Sequence, residues 1–167
     1  MSDNLQLIKS VTGSGVSTVS VTNCFTDKYD VYKIVIKDAD VTGAASAFIR
    51  MLDSSGSEIS AADYDRAYLG IYSAHGFSQG RNTGQTSFSS LGFYDGSTGG
   101  GGVFYLYNPF EAVYTFIQGQ VSYFETSYSS ANKYIGALKQ AASMTGFNIN
   151  LTGQTFDSIS ISVYGVN

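Results

Sequence analysis

A chain of 167 residues with a single cysteine, Cys24, can form no internal disulfide, and at this length it buries roughly 70% of its unfolded surface, enough for a core without metals or cross-links. Charged residues are 13% of the sequence and the net charge is −4, about half the usual charged share of roughly 25%; the nine Lys and Arg are scattered with no run among them, so direct nucleic-acid binding is not expected. No run approaches the ~18 apolar residues of a membrane helix, and Met1-Ser2-Asp3-Asn4 lacks the basic and apolar pattern of a secretory signal, so the chain is expected to fold in a cytoplasm and to partner neither nucleic acid nor membrane.

Ser, Thr, Gly, Asn and Gln fill the polar positions, and 13 Tyr and 11 Phe accompany 19 Gly and one Pro. Tyr, Phe, Thr, Val and Ile favour pleated surfaces, whereas the surface helix formers Glu, Lys and Arg are scarce. In chain order, a first strand begins by Leu5. In the second, Val19 and Val21 alternate with Thr18, Ser20 and Thr22. In the third, Tyr32, Ile34 and Ile36 share one face, with Lys33 and Lys37 on the other, and a fourth covers Ala47 to Leu52. Ser60-Ala61-Ala62-Asp63 fits the cap of a short helix. The nearly all-apolar Val103-Phe104-Tyr105-Leu106-Tyr107 predicts a strand covered on both sides. Another runs from Val113 to Ile117 and on, past Gly119, through Val121 to Phe124, while Tyr134 to Ala142 fits a helix or a strand equally. The last strand, Ser158 to Tyr164, puts Ile159, Ile161 and Val163 on one face and serines on the other.

Turn signals separate these segments: Thr12-Gly13-Ser14-Gly15, Asp53-Ser54-Ser55-Gly56, Asp95-Gly96, Asn108-Pro109 and Thr152-Gly153. Short alternating strands with such punctuation predict an all-β chain, an antiparallel β-sandwich forming one domain over residues 1–167. The one low-complexity run, Gly96 to Gly102, is too short to divide it.

No combination of residues composes a catalytic, cofactor or metal site. His75 is the only histidine. Gly76-Phe77-Ser78-Gln79-Gly80 matches the letters of a nucleophile elbow, which requires a strand-to-helix turn and a histidine later in the chain; here the histidine precedes Ser78 and no helix pattern follows. Gly99-Gly100-Gly101-Gly102 lacks the lysine of a phosphate loop and reads as a connection into the strand at Val103. The pairs Asp38/Asp40 and Asp63/Asp65 fall short of the calcium-loop spacing and read as solvated turns; as paired carboxylates they could in principle serve glycoside hydrolysis. Tyr105, Tyr107, Tyr114, Phe116, Tyr123 and Phe124 lie on strand faces, where core packing or a subunit interface is the expected role and a glycan-binding surface the alternative. Cys24 reads as a small apolar residue near a strand end.

The ending Phe156-Asp157-Ser158-Ile159-Ser160-Ile161-Ser162-Val163-Tyr164-Gly165-Val166 resembles the closing strand of small β-sandwich proteins of tailed-bacteriophage particles. The opening Leu7-Ile8-Lys9-Ser10-Val11-Thr12-Gly13, the central Asp30-Val31-Tyr32-Lys33-Ile34-Val35-Ile36 and Tyr105-Leu106-Tyr107-Asn108-Pro109 are similar to the same group. The resemblance implies a jelly-roll-like sandwich on the outside of a virion and no catalytic residue. It further implies a capsid decoration protein, a homotrimer bound to the major capsid protein, with a tail-fibre or host-glycan-binding module as the alternative.

Overall fold

The computed structural model describes residues 4–89, 99–125 and 127–167; the Asp95-Gly96 turn lies outside them. Eleven strands follow in order: β1 (Leu5–Gly13), β2 (Thr18–Val21), β3 (Val31–Val41), β4 (Ala47–Leu52), β5 (Tyr64–Tyr72), β6 (Gly76–Gln85), β7 (Gly100–Tyr107), β8 (Thr115–Glu125), β9 (Tyr128–Leu138), β10 (Gly146–Leu151) and β11 (Phe156–Val166). Eight form one antiparallel sheet in the order β1-β11-β3-β7-β8-β9-β5-β6, and three form a second in the order β2-β10-β4. The chain is thus the expected all-β antiparallel sandwich, with its strands divided eight and three.

The alternation seen in the sequence becomes the core. Val19 and Val21 of β2, Ile49 and Met51 of β4 and Phe147 and Ile149 of β10 are buried in one cluster with Ile34 and Ile36 of β3, Phe104 and Leu106 of β7 and Ile161 and Val163 of β11. Burying each large aliphatic or Phe side chain contributes about 1.5–3 kcal/mol. Aromatic rings tie the layers together: Phe25 meets Tyr32 edge-on with ring centres 4.8 Å apart and stacks on Phe147 at 6.1 Å. Cys24 is fully buried just after β2, and burial pushes its thiol up to about 12, so it stays a neutral packing group.

Several expectations need correction. Ser60 to Asp63 forms no helix; Asp63 N–H donates to the Ala61 carbonyl in a turn (2.8 Å). Tyr134 to Leu138 belongs to β9, and the chain leaves the ladder after Leu138. The glycine run is largely strand: Gly100 opens β7, and Gly101 and Gly102 are in the ladder. A Cβ on Gly101 would lie 2.9 Å from the Ile36 carbonyl oxygen, and one on Gly102 would lie 2.7 Å from Val121 Cγ1, so only glycine admits this close approach. The segment from Val103 to Tyr107 is covered on one side only; Phe104 and Leu106 are buried, whereas Val103, Tyr105 and Tyr107 stand half-buried on the outer face.

The β4 edge of the small sheet is closed by the large sheet's own connections. Ile49 and Phe88 exchange both backbone hydrogen bonds (2.8 and 2.9 Å), and Ile59 N–H donates to the Met51 carbonyl (2.9 Å). Tyr64, rising from β5, accepts the Met51 N–H (3.1 Å) and donates to the Ile59 carbonyl (2.9 Å). Burial pushes its phenol up to about 12, which keeps the proton needed for that donation. Its ring meets Phe88 edge-on at 4.8 Å.

Tyr64→Phe leaves a buried N–H and a buried carbonyl lone pair unmet, and is expected to lower stability by about 2–3 kcal/mol in urea titrations. Gly146→Ala is expected to cost at least about 2 kcal/mol, because a Cβ added there, at the start of the middle strand of the small sheet, would overlap the Val21 carbonyl oxygen of β2. A Gly146→Ala variant as stable as the parent would show that β2 can move away from β10.

Candidate functional site

The patterns that suggested chemistry are each taken up by the fold. Ser78 lies inside β6 and its hydroxyl donates to Tyr72 Oη (3.1 Å). His75, in the β5–β6 turn, packs edge-on against Tyr128 with ring centres 4.6 Å apart and lies 6.4 Å from Tyr72. Asp38 adopts a φ of 51° where the β3–β7 register shifts, a backbone form that Asp tolerates, and its carbonyl accepts Ser158 Oγ (2.9 Å). Asp40 Oδ1 accepts the Val41 N–H (3.0 Å). Asp63 Oδ2 accepts Gln140 Nε2 (2.9 Å). Asp65 Oδ1 accepts the Gly84 N–H and pairs with Lys139 Nζ, both at 3.0 Å, and these contacts hold its carboxyl below the usual range. Among the described residues no three His, Cys, Asp or Glu side chains gather around one point.

One polar cluster has no signature in the sequence. On the solvent side of the small sheet, Glu58 Oε2 pairs with Arg50 Nη1 (3.0 Å) and Oε1 accepts Asn148 Nδ2 (2.7 Å) and Asn150 Nδ2 (3.1 Å); Thr18 Oγ1 in turn donates to Asn150 Oδ1 (2.7 Å). Burial alone would raise the Glu58 carboxyl, but these donors outweigh it and the group is held below its ordinary value. The network crosses all three strands of the small sheet and ties them laterally. Its carboxylate is fully engaged by the protein.

The outer face of the eight-stranded sheet keeps many side chains exposed. Strand pairing sets its side chains in rows that cross the strands. One row runs Lys33, Tyr105, Gln118, Ile135, Ala67 and Arg81. The next toward the β5–β6 turn runs Val35, Val103, Gln120, Lys133, Leu69 and Gln79. On the other side lie Val31, Tyr107, Phe116, Ala137 and Asp65. A twisted sheet is saddle-shaped, so each face is hollow along one diagonal. Here the hollow is a trough made of two adjoining depressions of about 620 and 630 Å³ that share Gln118 and Ile135. Gln118 Nε2 donates to Tyr107 Oη, which leaves the Gln118 oxygen free to accept and the Tyr107 hydroxyl free to donate.

Toward the β5–β6 turn the same face becomes apolar. Leu69, Ile71, Phe124 and Phe77 are 42, 45, 39 and 77% exposed, and Ile71 lies opposite Phe77 in the ladder. The aromatics singled out in the sequence therefore divide: Tyr123 enters the core, Tyr105, Tyr107, Phe116 and Phe124 occupy the outer face, and Tyr114 is exposed ahead of β8.

Glu58→Gln keeps the shape but loses the charge-assisted bonds. At neutral pH it is expected to be about 1 kcal/mol less stable, a modest figure because the pair is partly exposed and screened. A carboxyl held below its ordinary value near 4.5 contributes stability that is present above that value and is lost as the pH falls through the folded one. The gap between parent and variant should therefore close in denaturant titrations carried below pH ~4; a gap independent of pH would assign the loss to packing. No protein-family profile matches the sequence, and no curated protein is similar to it.

Proposed function

We propose that this protein is a non-enzymatic structural module of a tailed-bacteriophage particle, a decoration or cement protein that binds the major capsid protein on the outer surface of the head as a homotrimer. The observation that carries the reading is the apolar corner of the outer face, where Leu69, Ile71, Phe77 and Phe124 stand exposed together on a rigid antiparallel scaffold. A contiguous exposed apolar patch on a well-packed domain marks a surface that another protein covers. Two further features support it. Asp63, Asp65, Ser78 and His75 are held by turn, ladder and ring contacts. The segments whose sequence resembles phage-particle proteins lie on neighbouring strands, β1, β11, β3 and β7. On a lattice of identical sites, many such modest contacts reinforce one another.

A second reading, a surface carbohydrate-binding module, is favoured by the trough, where Tyr107, Phe116 and Tyr105 stand beside Gln118 and Gln120. Concave surfaces that mix aromatic rings with a few placed polar groups suit small ligands.

Quantitative mass spectrometry of purified particles of the encoding phage should find this chain at copy numbers comparable with the major capsid protein. Phe77→Ser, at an exposed position where stability changes by no more than about 0.5 kcal/mol, should abolish both trimer formation and attachment to particles. A handful of copies per particle would move the protein to the tail, and its absence would remove the proposal.

A further inference from the structure

We propose that the trough on the outer face binds an acidic oligosaccharide, a chain carrying carboxylate groups; this rests on the carbohydrate-binding reading and goes beyond it in naming the charge of the sugar and the residues that select it. The observation is an inversion of charge. The protein carries −4 overall, yet the trough is lined by Lys133 and Arg81 against one carboxylate, Asp65, and Lys33 continues the Arg81 row on β3 just beyond the lining. That carboxylate is already engaged by Lys139 and the Gly84 N–H. Lys33, Lys133 and Arg81 make no ion pair among the described residues. Two cations without an ion pair in one hollow of an acidic protein, with a third at its margin, form a site for an anion.

The remaining chemistry selects a sugar over a peptide. All backbone groups in the middle of a sheet are used in its ladder, so a peptide laid across the face would find few partners for its own N–H and C=O groups; extended peptides are taken up at sheet edges instead. A saccharide asks for something different, apolar ring faces to stack on and hydroxyls that both donate and accept. Phe116, 46% exposed, supplies a ring, and Tyr107 Oη, the Gln118 oxygen and Gln120 supply the hydrogen-bonding groups. Arg81 at one end offers the two-pronged geometry that matches a carboxylate, and Lys133 near the middle offers a point charge. From β6 to β3 the trough crosses five strand spacings, roughly 24 Å, room for several sugar units rather than one.

The test is direct binding of the purified full chain, by calorimetry, to oligogalacturonate and to a sialic acid oligomer, with a neutral malto-oligosaccharide and polyglutamate as comparisons. The acidic sugars are expected to bind, and to bind less as salt is raised. Arg81→Gln and Lys133→Gln should each weaken them about fivefold or more, Phe116→Ala should weaken them as well, and Lys28→Gln, in the loop before β3, should change nothing. Equal binding of neutral and acidic sugars, indifferent to Arg81 and Lys133, overturns the acidic preference while leaving the carbohydrate reading in place. Polyglutamate binding as well as the acidic sugars shows that the trough reads charge alone and also overturns it. Failure of every sugar to bind removes the carbohydrate reading itself.

Discussion

At about 4.8 Å between neighbouring strands, eight strands span roughly 34 Å and three only about 10 Å, so the small sheet covers the large one over part of its inner face. How the rest is covered shapes the whole molecule. Tyr64 and Phe88 reach from the large sheet to the β4 edge and close the sandwich there. Phe88 also packs on Gly136, where an added Cβ would come within 2.8 Å of its ring. Beyond them the β5–β6 ribbon is covered by its own tyrosines; Tyr68 lies over Gly80, and Tyr72 over Gly70 and against Ser78. Glycine under an aromatic ring is what lets a ribbon without a facing sheet shield its inner side. All of this material is spent on the inner face, while Leu69, Ile71, Phe77, Phe116, Phe124 and Ile135 stay exposed on the outer one.

The sheet edges follow the same division. The β4 edge is capped by backbone and phenol partners, leaving no row of free N–H and C=O groups. The β6 edge is long and exposed, but it is rich in glycine and carries Arg81 and Asn82 rather than a run of β-branched residues. Such an edge is a poor template for adding another strand. At the β4 and β6 edges, then, little backbone is offered to a further strand, whereas the face between them presents side chains.

The sequence showed a good part of this and hid the rest for identifiable reasons. β2, β3, β4 and β11 each bury one face and solvate the other, so their alternation was legible. β5 was not, because Tyr68 and Tyr72 on the inner face and Leu69 and Ile71 on the outer one leave no polar phase. β6, Gly76–Gln85, has the letters of a loop because Gly80 lies under the Tyr68 ring while Gly76 and Gly84 adopt positive φ. β10 is buried almost throughout and too short to show a period. The glycines at the start of β7 read as a connection because a missing side chain cannot signal burial. The outer face could not be assembled at all. Alternation says that Tyr105, Gln118, Ile135 and Arg81 point one way from their own strands, but only the register of four pairings puts them in one row.

The same register decides whether the two uses of the outer face can coexist. Along β5 the trough is centred near Ala67 and the apolar corner near Ile71, four residues apart and so about 13 Å by the rise of a strand. A neighbouring subunit anchored on Phe77 and Ile71 can approach that corner and leave Arg81, Phe116 and Tyr107 in solvent, provided its contact ends near Leu69. Charge is consistent with the two proposed uses: copies of a protein at −4 repel one another, so the apolar corner is the part of the face better suited to the proposed mutual contact, and the cationic trough the part better suited to the proposed acidic ligand.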